Sequence, residues 1–96
     1  MYMKKYDTDG QFIVAVCDED IIGKKFREGE LVLKVDECFY KGGEANEEEV
    51  KEALCCATMA NISGKKSIAC AVECGCIDPE TIIFIEGIPH AQMVQI

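Results

Sequence analysis

Thr81-Ile82-Ile83-Phe84-Ile85-Glu86-Gly87-Ile88-Pro89-His90-Ala91-Gln92 reads as a strand, a sharp break and the opening of a second strand. The first five residues are β-branched or aromatic, which suits a pleated and half-buried surface. Glu86-Gly87 interrupts them, and Gly87 is free to take positive φ. Pro89 pushes Ile88 into an extended conformation and removes one ladder donor, which suggests a sheet edge or a bulge. Gln92, Val94 and Ile96 then fall on one face of a short final strand. His90, the only histidine of the chain, shares that face with Gln92 if the backbone stays extended. An imidazole and an amide can therefore point to one spot. The plainer alternative is a tight turn whose His90 is hydrogen-bonded or solvated.

Working back from this end, the chain supplies the partners for such a hairpin. Tyr2 to Tyr6 reads as a half-polar strand and Phe12-Ile13-Val14-Ala15-Val16-Cys17 as a strand buried on both faces. Between them, Asp7-Thr8-Asp9-Gly10 carries the Asp-Gly signal of a hairpin. Asp18 to Gly23 begins with a good N-cap and ends on a glycine, so a helical turn is expected there. Lys24 to Gly29 reads as a basic loop anchored by Phe26. Leu31, Leu33 and Val35 alternate as a third strand with one buried face. Lys41 to Glu44 is an exposed loop.

Asn46 predicts a helix start, with Glu49 completing a capping box. Glu47, Glu48 and Glu49 also suit the positive end of the helix dipole. Val50, Ala53, Leu54 and Ala57 recur on one helical face. Asn61 extends that face, and a buried amide must be hydrogen-bonded. It either ties down a helix–helix turn or looks into a pocket. Ser63 or Gly64 opens a second helix with Ile68, Ala71 and Val72 inward, and Gly75 followed by Asp78-Pro79 ends it. The resulting order is that of a two-layer α+β sandwich. A mostly antiparallel sheet of about five strands carries a helix pair on one face.

The chain has 96 residues, nearly half of them hydrophobic, which bounds it to a single domain with an ordinary core. Its N-terminus lacks the apolar segment of a signal peptide, and no apolar run approaches the ~20 residues of a membrane span. A cytoplasmic protein that does not meet membranes is expected. The net charge of −8 works against free DNA. RNA binding is left to Lys24, Lys25 and Arg27, provided that they form one surface with Lys65 and Lys66. The count of seven cysteines is odd, and no Cys-x-x-Cys occurs. A secreted disulfide framework and a knuckle-type zinc site are both disfavoured, and no cofactor is expected. Most of the thiols read as small buried hydrophobes. Cys70, Cys74 and Cys76 keep a soft-metal or redox reading open.

Three blocks together resemble a known family. They are Cys17 to Leu31, Ala60-Asn61-Ile62-Ser63-Gly64, and Gly87-Ile88-Pro89-His90-Ala91-Gln92. The chain resembles the archaeal family called domain of unknown function 424 over nearly its whole length. The resemblance implies an archaeal cytoplasmic protein of two-layer α/β fold and brings no established activity. It marks Asn61, Gly64, Gly87, Pro89, His90 and Gln92 as site positions, while capping explains Asp18 and Gly23 equally well. The five cysteines from Cys55 to Cys76 lie outside the shared pattern.

Three functions compete on these residues. One is a non-enzymatic binding module for a protein or ribonucleoprotein partner, with RNA or translation as its setting. Another is an enzyme or small-ligand binder using His90 with Asn61 and Gln92. The third is an oligomer joined through the proline-marked edge and the apolar tail from Met93 to Ile96.

Overall fold

The computed structural model describes residues 1–95. Tyr2–Thr8 (β1) and Gln11–Cys17 (β2) form an antiparallel hairpin, with Thr8 opposite Gln11 and Tyr2 opposite Cys17. The loop residues Asp9 and Gly10 both have positive φ, 47° and 77°. That is the I′-type geometry whose twist matches the flanking strands. Val14, Ala15, Val16 and Cys17 are all fully buried, so β2 runs through the interior with apolar contacts on both faces.

Lys25–Glu28 (β3) and Leu31–Lys34 (β4) pair with each other in a separate two-stranded sheet. Glu37–Tyr40 (α1) follows, then Gly43–Glu44 (β5), Glu47–Cys56 (α2) and Met59–Ser63 (β6). Lys65–Glu73 (α3), Ile83–Ile85 (β7) and Ile88–Val94 (β8) complete the chain. The main sheet has six strands in the order β5-β1-β2-β6-β8-β7. Only β2 and β6 run parallel; the other pairs are antiparallel.

Alternation along β2 divides the core in two. Val14 and Val16 face α2 and α3, where Val50, Leu54, Ile62, Ile68 and Ala71 join them. Ala15 and Cys17 face the other way, toward Leu33 and Val35 after the β3–β4 hairpin, Tyr40 of α1, and Ile85. The expected α+β fold, a mostly antiparallel sheet with a helix pair on one face, is thus present. Its second face is roofed by the small hairpin. At the start of α2 the capping box is complete: Asn46 Oδ1 accepts from the Glu49 N–H at 2.8 Å, and Glu49 Oε1 accepts from the Asn46 N–H at 3.1 Å.

Several local expectations are corrected. The basic segment is strand β3, because Gly29 at φ 64° closes a two-residue turn that joins it to β4. Its single inward residue, Phe26, packs on the second core as expected. The Leu31 strand stays out of the main sheet, and Leu31 itself is exposed. The expected loop at Lys41 to Glu44 contributes the short edge strand β5. The last hairpin begins later than read, since Pro79–Thr81 form a 3₁₀ turn capped by Asp78. The Asp18 side chain makes no cap hydrogen bond to its own helical turn, Glu19–Ile21. It reaches across to α3, accepting from the Lys66 N–H at 2.9 Å and from the Ser67 N–H and hydroxyl, both at 2.8 Å.

Asn61 does not continue a helical face. Ala57 leaves the helix at φ −70° and ψ 143°, and Asn61 lies on β6 between β2 and β8. Pro89 marks neither an edge nor a bulge. It sits on β8 one residue beyond the end of β6, and its carbonyl accepts from the Gly64 N–H at 2.9 Å. The Gly64 carbonyl, which would face a residue-89 N–H, accepts instead from Ile68 in the first turn of α3. A residue with no N–H to offer fits that position. Met93 and Val94 are paired inside the sheet to β6, so its open edges are β5 and β7. Ile96 lies outside the described residues.

Candidate functional site

The turn between β7 and β8, Glu86 and Gly87 at φ 52° and 79°, sets Ile85 opposite Ile88. On the other side of β8, Ser63 stands opposite His90 and Asn61 opposite Gln92. Pro89 and Ala91 are buried toward the helices, while His90 and Gln92 share the opposite face. Ser63 is fully buried there, its Oγ 2.8 Å from His90 Nδ1 and 3.3 Å from the Tyr40 hydroxyl. Tyr40, from α1, is itself only 4% exposed.

Two proton arrangements fit these contacts: Tyr40 donating to Ser63 and Ser63 to Nδ1, with the ring hydrogen on Nε2, or Nδ1–H donating to Ser63 and Ser63 to Tyr40. The first gives the buried Tyr40 hydrogen an acceptor, since Ser63 Oγ is its only side-chain partner among the described residues.

Burial pushes the His90 pKa below its ordinary value of 6.5, with the Ile62 carbonyl acting weakly the other way. Burial likewise raises the Tyr40 pKa, keeping it a phenol and a donor. The sign for stability follows. The unfolded chain binds this proton more readily than the fold, so unfolding gains from acidification. Stability relative to a His90→Gln variant should be constant above pH 6.5 and decline as pH falls below that value toward the depressed pKa. Urea midpoints of both proteins between neutral pH and pH 5 check this, and parallel curves would contradict it.

His90 and Gln92 line an open cleft of about 400 Å³ between β4 and β7. Its walls are Leu31, Val32 and Leu33 on one side and Ile83 and Ile85 on the other. Leu31, Val32 and Ile83 are 47%, 49% and 43% exposed, an unusual concentration of large apolar side chains around one opening. The site is an apolar slot with an N–H donor and an amide.

The remaining predicted positions divide into neighbours and scaffold. Asn61 is half-buried beside the site, across from Gln92, but does not line the cleft, and His90 bonds to Ser63. Gly87 is a hairpin tip with nothing near its Cα. Gly64 is enclosed, since a Cβ there would lie 2.6 Å from an Asp18 carboxylate oxygen. Lys25 and Arg27 belong to the hairpin over one face of the sheet, and Lys65 and Lys66 to the helix over the other. Lys66 stands beside Asp18, Glu19 and Asp20. Sequence reasoning missed Ser63, Tyr40 and the apolar walls. The alternation of Met59 to Ser63 was the available signal for Ser63, but no local signal marks Tyr40.

The family described as protein of unknown function (DUF424) matches residues 6–96, and the chain belongs to that family. None of the curated proteins matches it. A crystal structure of an uncharacterized conserved protein from Methanopyrus kandleri is similar at 24% identity and a TM-score of 0.78, covering 96% of this chain and 88% of that one. That likeness concerns the fold.

Proposed function

We propose that this member of the DUF424 family is a non-enzymatic binding module that takes an extended apolar segment of a protein partner into the cleft between β4 and β7. The observation that carries the reading is the meeting of exposed apolar walls with the His90 ring and the Gln92 amide at one opening; with Nδ1 accepting from Ser63, Nε2–H is the donor offered to a ligand. A peptide supplies both complements, apolar side chains for the walls and backbone carbonyls for the imidazole and the Gln92 amide. The chemistry beside His90 favours binding over catalysis. Its hydrogen-bonded serine is fully buried, and the next thiol on that face, Cys17, is buried and pushed up to about 12, mainly by desolvation. The negative net charge suits a partner with basic residues flanking the apolar segment. No helix among the described residues is long and apolar enough to cross a membrane.

Selection from a displayed peptide library, followed by fluorescence anisotropy, tests this reading. Ile83→Asp should weaken the selected peptides at least tenfold, or about 1.4 kcal/mol. Phe84→Asp, an exposed position on the other face of β7, should leave affinity within about twofold. Equal binding by Ile83→Asp would overturn the assignment, as would enrichment of RNA but no peptide in parallel selections.

A further inference from the structure

The helix side of the sheet carries a second opening, remote from the His90 cleft. It is a cleft of about 380 Å³ lined by Leu54, Cys55, Cys74, Cys76 and the end of β8 at Met93. Local helix chemistry builds its floor. At the C-terminus of α3 the Gly75 N–H donates to the Val72 carbonyl at 3.1 Å, and the Cys76 N–H to the Ala71 carbonyl at 3.0 Å. Gly75 has φ 81°. Together these are a Schellman ending with glycine in the left-handed position. The turn folds the two cysteines flanking Gly75 toward each other, and their sulfurs lie 3.2 Å apart, both half-buried. Cys55, exposed at the end of α2, lines the same cleft as Cys74.

We infer that Cys74 and Cys76 form a reversible dithiol–disulfide site that reacts with low-molecular-weight disulfides entering by the Cys55 side of this cleft. The spacing of two residues suits a short disulfide ring, and the sulfurs need close by only about 1 Å to reach bonding distance. The Cys74 thiolate attacks one sulfur of the external disulfide, forming a mixed disulfide and releasing one thiolate. Cys76 then attacks the Cys74 sulfur, its proton passing to the released thiolate, and the second external sulfur leaves as a thiolate that takes up the proton Cys74 gave to solvent. Two protein thiols are oxidised and one external disulfide is reduced to two thiols. Burial, and then the hydrogen bond with Cys74, push the Cys76 pKa up to about 12. Cys76 is therefore the thiol that keeps its proton and resolves the intermediate. Among the described residues, no group of three or more His, Cys, Asp or Glu side chains is arranged to hold a metal ion.

The test is to incubate the fully reduced protein with oxidised glutathione, block free thiols by alkylation and digest after glutamate. Cleavage after Glu73 and Glu80 releases residues 74–80, which hold Cys74 and Cys76 and no other cysteine. That peptide should emerge unalkylated and lighter by two hydrogens, and reductant should restore both alkylations. In Cys76→Ser the same peptide should instead retain one glutathione, while Cys70→Ser should behave as the unmodified chain. A doubly alkylated peptide, or one joined to the peptide holding Cys55, would overturn the assignment.

Discussion

Replacing Gly64 with alanine should lower stability by about 3 kcal/mol or more. Two independent constraints meet at this position. The backbone stands at φ 105°, a region that residues with a side chain rarely adopt, and the new Cβ would run into the Asp18 carboxylate at 2.6 Å. The carboxylate has little room to retreat, because it already accepts three hydrogen bonds, two from backbone N–H groups of α3 and one from the buried Ser67 hydroxyl. The Asp18 N–H also donates to the Ser63 carbonyl at 3.1 Å, tying the ends of β2 and β6 together. Asp18→Gly removes the obstacle along with those three bonds and should cost about 2 kcal/mol by itself. The two changes should then be less damaging together than their sum by about 1 kcal/mol or more. Urea unfolding of the four proteins measures the cycle. A Gly64→Ala protein within about 0.5 kcal/mol of the parent would contradict this account of the α3 start.

Ser63→Ala comes next, at about 1–3 kcal/mol. The alanine fits the space but leaves the buried Tyr40 hydroxyl without its only side-chain partner among the described residues. Adding Tyr40→Phe deletes the stranded group, so the double variant should recover part of the loss. Strict additivity in the cycle would show that Ser63 and Tyr40 are not coupled through their hydrogen bond.

The parts of this fold legible in the sequence are those decided locally. Asp9-Gly10 specifies its hairpin by backbone conformation, and Asn46 with Glu49 specifies the start of α2 by hydrogen bonding. Val50, Ala53, Leu54 and Ala57 mark the buried helix face by period, and all four are buried. The sharing of one face by His90 and Gln92 was likewise readable from strand alternation alone. What escaped was settled by distant pairing. Five residues from Met59 to Ser63 are too few to separate a strand from the end of a helix by period. Their place between β2 and β8 is decided by a long crossover. Strand β3 offered one apolar residue among charges and took its state from its partner. The position of Tyr40, brought beside Ser63 from 23 residues away, has no local signature.

The proposed binding mode needs His90 neutral, with its Nε2–H offered to the apolar cleft. As the chain has a single histidine, long-range proton–nitrogen correlation of the imidazole reads that state without assignment ambiguity. The expected result is the Nε2–H tautomer at neutral pH and a titration midpoint below 6.5. An Nδ1–H tautomer, or a midpoint at or above that value, would contradict it.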